Sequence, residues 1–168
     1  MKKVAIIVAQ NIFRDEEYLI PKEILENSGI YTETFSKIVG IATGKLGTAV
    51  LAELAIKDLQ VNKFDGVIFV GGAGSRKYFN DVEAQRIAKE AFSSGKIVAA
   101  ICSAVGILAN AGILKGKKVT SFPDEAELIT RLGGIHTGSD LEIDGKIITS
   151  DGPQSAKIFG EAILKALV

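Results

Sequence analysis

Lys96-Ile97-Val98-Ala99-Ala100-Ile101-Cys102-Ser103-Ala104-Val105-Gly106-Ile107-Leu108-Ala109 carries the only cysteine of the chain at the end of an unbroken apolar run. Ile97 to Ile101 has the composition of a parallel strand covered on both faces. The residues from Cys102 onward are small or apolar, and Val105, Leu108 and Ala109 are spaced to share one helical face. The stretch therefore predicts a buried strand that turns at Cys102 straight into a helix. At such a junction the first-turn N–H groups lack intrahelical partners and the helix dipole favours negative charge. A thiol placed there is expected to ionise more easily than a free one.

The same alternation extends outward in both directions. Val4 to Ala9 predicts a first parallel strand, with Gln10-Asn11 opening its loop. Asp15-Glu16-Glu17 then starts a helix that bends near Pro21 and stops at Gly29. Tyr31 to Phe35 and Ile38 to Thr43 read as short strands. Thr48 to Leu59 suits either a helix or an extended segment beside a sheet. Val67 to Val70 is the clearest central strand and ends in Gly71-Gly72-Ala73-Gly74. Asp81 caps a helix over Val82 to Phe92 that Gly95 ends.

Beyond the cysteine stretch, Lys117 to Thr120 predicts a strand and Asp124 to Leu132 a helix. Leu141 to Ile143 and Lys146 to Thr149 predict a hairpin with an Asp144-Gly145 type I′ turn. Ser155 to Leu167 is the closing helix. Alternating strands and helices define an α/β sandwich with a mostly parallel sheet.

Composition narrows the class further. The chain has 168 residues, 47% of them hydrophobic, which suits one domain with its own core. Its 20 basic and 20 acidic side chains cancel and no basic run exceeds two residues, which argues against nucleic acid or an anionic membrane as partner. The apolar run after Met1-Lys2-Lys3 is too short for a signal peptide or a membrane span, so the chain reads as cytoplasmic. One histidine and one cysteine argue against an internal disulfide or a structural zinc site.

In an open parallel sheet, ligands bind beyond the carboxyl ends of the strands. Three such ends carry suggestive residues: Asn11 to Glu17, Gly71 to Gly74, and Cys102-Ser103. The glycine pair lets backbone approach a ligand closely, and its N–H groups together with that of Ser103 suit an oxyanion. Each feature also has a plainer reading. A lone cysteine is commonly a small buried hydrophobe. The glycines lack the spacing of a phosphate loop and suit an ordinary turn. The acidic triplet suits a solvated helix start, and His136 an exposed loop.

Glu17-Tyr18-Leu19-Ile20-Pro21, Val70-Gly71-Gly72 and Ala99-Ala100-Ile101-Cys102-Ser103 together resemble the DJ-1/ThiJ/PfpI superfamily. The similarity continues through Lys117 to Pro123 and Asp144-Gly145 to Pro153, and so covers nearly the whole chain. It implies a flavodoxin-like three-layer sandwich, a single domain over 1–168, a homodimer, and no cofactor or metal. It also implies that Cys102 is the nucleophile on the elbow, that Glu17 is the carboxylic acid against its sulfur, and that Gly71, Gly72 and Ser103 face the pocket.

The implied function is thiolate addition to small electrophiles such as α-oxoaldehydes, with Glu17 moving protons. The alternative is a redox sensor with little turnover, in which an oxidant is the small-molecule partner; cysteine peptidase activity ranks third. Three positions depart from the family's patterns. Ser103 stands where the peptidase branch has histidine, Phe122 where another branch has histidine before proline, and Asp151 where the family usually has arginine before Gly-Pro. A Cys–His arrangement would therefore need an imidazole from His136 or from a partner subunit. The cation at position 151 that could hold an anion is absent.

Overall fold

A computed structural model describes all of residues 1–168. Its strands are β1 (Lys3–Ile7), β2 (Asn11–Phe13), β3 (Tyr31–Ser36), β4 (Gly40–Gly44), β5 (Ala49–Ala52), β6 (Leu54–Ala55), β7 (Gly66–Phe69), β8 (Ile97–Ile101), β9 (Lys118–Val119), β10 (Ile135–His136), β11 (Leu141–Asp144) and β12 (Ile147–Ser150). The helices are α1 (Asp15–Asn27), α2 (Val82–Ser93), α3 (Val105–Asn110), α4 (Ala126–Arg131) and α5 (Ala156–Leu167).

Seven strands form the central sheet in the order β11-β12-β8-β7-β1-β3-β6. All neighbours run parallel except β11, which returns antiparallel along β12. The inner order β3-β1-β7-β8-β12 is the flavodoxin-like winding, whose direction of growth reverses between β1 and β7. Helices α1 and α5 pack together on one face, and α2 packs with α3 on the other. Every residue of β7 and β8 is buried, because strands covered on both faces have no polar side to show. No helix is long and apolar enough to cross a membrane.

Several local expectations hold for the reasons given. Asp81 accepts hydrogen bonds from the N–H groups of Glu83 and Ala84, capping α2. Helix α1 runs from Asp15 to Asn27 through Pro21, and Gly29 takes the positive φ of 80° that the turn after it requires.

Other expectations are corrected. The loop after β1 is not irregular throughout: Asn11–Phe13 forms β2 and pairs with β4 in a separate three-stranded sheet. That strand is irregular, with Ile12 at a φ of 59°, so no period-2 pattern announces it. Thr48 to Leu59 resolves as extended, giving β5 and β6 before a 3-10 turn at Ile56–Asp58. Pairing of β5 with β4 and of β6 with β3 overrides the helix propensity of its Ala and Leu. The 141–150 hairpin forms, but Gly145 alone of its two central residues has positive φ, at 61°. That pattern belongs to a type II′ turn centred on Gly145-Lys146 rather than to the type I′ turn.

Candidate active site

Cys102 follows β8 directly, in a single 3-10 turn (Cys102–Ala104) that leads into the six-residue α3. Its φ is 61°, a left-handed value that a non-glycine residue adopts only under constraint from its surroundings. The fully buried strand before it and the buried turn after it supply that constraint. The side chain is thus held out at the crest of the strand-to-helix turn with 7% of the residue exposed.

Glu17 reaches the same point from α1 and is completely buried. The two meet over Gly71. A Cβ built on Gly71 would lie 2.6 Å from Cys102 Cβ and 2.6 Å from the Ile101 carbonyl oxygen, and closer still to Glu17 Oε1. No side chain fits there, which makes glycine obligatory at 71 by crowding rather than by φ. Gly71 also accepts a hydrogen bond from the Arg14 N–H at 2.9 Å, tying the loop after β7 to the start of α1. At Gly72 the φ is 98°, and a Cβ would strike the backbone of Ile12 and Arg14.

Neither oxygen of Glu17 has a hydrogen-bond partner in good geometry. Burial pushes its carboxyl up from 4.5 to about 8, against weaker opposition from the nearby Cys102 thiol and the Gly71 N–H. The Cys102 thiol is also pushed up, first by burial and then by the Glu17 charge, and is held back by the N–H groups of Gly72 and Ser103. The Ser103 hydroxyl stands 3.9 Å from the sulfur. The expectation of an easily ionised thiol is therefore corrected. Desolvation outweighs the dipole of one short helix, and an acid faces the sulfur where a base or cation would have lowered its pKa. Once Glu17 holds a proton, its part in raising the thiol disappears, so the two groups titrate as a pair.

The acidic triplet is not a solvated helix start. Successive helical residues point about 100° apart, and these three face three ways. Asp15 is buried and accepts the N–H groups of Leu46 at 2.8 Å and Thr48 at 3.0 Å, which pins the turn after β4. Glu16 holds the Arg14 guanidinium at 2.8 Å. Glu17 alone turns inward to the sulfur.

A cavity of about 490 Å³ opens above Cys102, and Gly72, Ser103, Phe122, Asp151 and Gly152 are among its walls. Gly71 is not, since its N–H faces Glu17 instead; of the glycine pair only Gly72 presents an amide to the sulfur. The missing arginine at 151 does not leave the cavity without cations, because Arg14, Lys45 and Arg76 line it from other elements. Sequence reasoning missed all three, which come from the loop before α1, the turn after β4 and the turn after β7. His136 lies in β10 rather than in an exposed loop, with Nε2 3.0 Å from the buried Ser121 hydroxyl. It does not line the Cys102 cavity. No group of three or more His, Cys, Asp or Glu side chains is arranged to hold a metal ion.

A flavodoxin-like sheet with a strained cysteine elbow and a buried glutamic acid against it is the architecture that the fold and the site define. The model of the DJ-1/PfpI family matches residues 2–166, and the chain belongs to that family. A ThiJ/PfpI domain protein from Brachyspira murdochii superimposes with a TM-score of 0.96 at 33% identity, over 98% of this chain and 95% of that one. An uncharacterized protein of Methanocaldococcus jannaschii is 35% identical over 98% of this chain and 82% of its own length. A deglycase of Pyrococcus abyssi is 31% identical over 96% of this chain and 98% of its own.

Proposed function

We propose that the protein is a thiol enzyme of small carbonyl electrophiles, α-oxoaldehydes such as methylglyoxal or their early adducts, with Cys102 as nucleophile and Glu17 as proton carrier. The observation that carries this reading is the buried, unpartnered Glu17 carboxyl packed with Cys102 over Gly71. The deglycase relatives, at about 30% identity, are consistent with it.

The chemistry follows from the placement. Cys102 releases its thiol proton to solvent and Sγ adds to the aldehyde carbon, while the Glu17 proton ends on the former aldehyde oxygen, giving a hemithioacetal and leaving Glu17 ionised until solvent reprotonates it at the end of the cycle. The N–H groups of Gly72 and Ser103, which face the sulfur, would receive the oxyanion formed on the way. Glu17, ionised at this stage, takes the hydrogen from that carbon and returns a proton to the neighbouring carbon through an enediol. The result is a thioester at the oxidation level of a hydroxy acid. Water then cleaves the thioester, releasing lactate from methylglyoxal and restoring the thiol. No external oxidant or reductant enters. A carboxyl raised to about 8 is near the working pH, where a group that must both accept and donate a proton serves best.

Purified protein incubated with methylglyoxal should form lactate at a rate that Cys102→Ser abolishes. Wild type no faster than Cys102→Ser would sink the reading. A second reading, a peroxide-responsive regulator, is favoured by the absence of any imidazole from the cavity walls. Peroxide titration followed by intact mass separates the two: selective oxidation of Cys102 without lactate formation supports sensing.

A further inference from the structure

We infer that the Cys102 cavity selects electrophiles that carry a single carboxylate beside the reacting carbonyl, with Lys45 and Arg76 receiving that charge. This rests on the reading of Cys102 as an electrophile-directed thiol and says which electrophiles the cavity admits to it; with a carboxylate in place of the second carbonyl, addition stops at the hemithioacetal. Cations enter the cavity from three separate elements, and each is set in place by an acidic side chain. Glu16 holds Arg14, with the two side chains only about three-tenths exposed. Glu125, 96% buried as a side chain, holds Arg76 Nε at 2.7 Å, and Asp124 lies 3.6 Å from its Nη2.

Lys45 is placed indirectly. The buried Asp15 carboxylate accepts the N–H groups of Leu46 and Thr48, on either side of Gly47 in the Gly44–Thr48 turn. A Cβ at Gly44 would fall 2.6 Å from Asp15 Cγ, so the turn closes on that carboxylate. The Lys45 N–H in turn donates to the Phe13 carbonyl at 2.9 Å. A fixed turn thus sets Lys45, whose ammonium has no acidic partner within 4.0 Å, in the cavity wall.

The charge balance selects the ligand. Two of the three cations are already matched by carboxylates, and Asp151, which accepts from the Ser155 hydroxyl at 2.7 Å, adds a negative wall. Lys45, the one cation without a salt-bridge partner, and the N–H donors of Arg76 that Glu125 leaves free suit one carboxylate, whereas a dianionic phosphate would meet Asp151 and Asp124 with too little opposing charge. Arg76, Lys45 and Cys102 line the same cavity. A carboxylate held by Arg76 and Lys45 would therefore bring an adjacent carbonyl carbon near the sulfur. An aldehyde bearing a carboxylate on the next carbon has this form.

The test compares alkylation of Cys102 by iodoacetate and by iodoacetamide, which differ by one negative charge. Relative to the same ratio for a free small thiol, the wild-type ratio of iodoacetate to iodoacetamide rates should be about fivefold higher, the effect of one unit charge a few ångströms away through water. It should fall toward the free-thiol value in Lys45→Gln, below it in Lys45→Glu, and also in wild type as salt rises from about 0.1 M to 1 M. Lys57→Gln, outside the cavity, should leave the ratio at the wild-type value. A wild-type ratio equal to that of the free thiol, or one that Lys45→Glu does not lower, overturns the inference. The readout needs no turnover, so a protein inactive on methylglyoxal but with the raised ratio would contradict the proposed reaction and leave the carboxylate preference standing.

Discussion

Glu17 is a carboxyl whose surroundings favour its neutral form: it is buried, no cation pairs with it, and no donor meets it in good geometry. Its carboxyl holds a proton up to about 8 in the folded protein and only to about 4.5 when exposed. The folded state therefore binds the extra proton between those values, and stability falls as pH rises through that window. Glu17→Gln removes the loss. Denaturant unfolding should show the variant equal to wild type near pH 4 and more stable by about 2 kcal/mol or more at pH 8. A gap that narrows with rising pH would contradict the assignment. Gly71→Ala carries the opposite sign at every pH, because its methyl must push apart Glu17, Cys102 and the Ile101 carbonyl. A loss of about 2 to 4 kcal/mol is expected, together with slower Cys102 alkylation by iodoacetamide. At this scale the sequence was only partly legible. Cys102 was marked by its place between apolar strand and helix, whereas Asp15, Glu16 and Glu17 looked alike until the phase of α1 sent each carboxylate to a different partner. Glu17 was singled out by resemblance, and the cavity cations carried no local signal because they converge only in three dimensions.

Among the elements, α2 was legible because its N-cap residue carries a local signal. Helix α2 begins at Asp81 because that carboxylate takes two orphan N–H groups, at 2.9 and 3.0 Å. Asp81→Ala should lower stability by about 1 kcal/mol or somewhat more, since the Lys37 ion pair is lost as well, as chemical denaturation would measure. The three-stranded sheet of β2, β4 and β5 was hidden because its order depends on pairing and on Asp15, neither of which shows as periodicity. Asp15→Ala leaves the Leu46 and Thr48 amides without their acceptor, and should cost about 2 to 3 kcal/mol in the same experiment. It should also lower the iodoacetate preference of Cys102, because the turn that carries Lys45 is released; a preference unchanged in Asp15→Ala would mean that the turn does not place the lysine.

For the whole molecule, the winding β3-β1-β7-β8-β12 brings the ends of β7 and β8 and the start of α1 to one edge of the sheet, and the site follows from that topology. Alternating apolar runs were enough to foretell the layers, but not the small sheet beside them. That small sheet leaves Ile41 and Leu51 side by side and more than half exposed, with Ile38, Val39 and Leu46 exposed nearby. The homodimer expected from the family would have apolar surface here to bury. Sedimentation at micromolar concentration should give twice the 17.8 kDa chain mass, and a monomer at all concentrations would remove that expectation.

Burial of Glu17 requires it to stand protonated against the Cys102 sulfur at neutral pH. Infrared difference spectroscopy across a pH titration, with Glu17→Gln as the blank, reads that proton directly. A protonated-carboxyl band that is absent from Glu17→Gln and disappears with a midpoint near 8 is the expected result. A Glu17 carboxylate already ionised at pH 6 would contradict it.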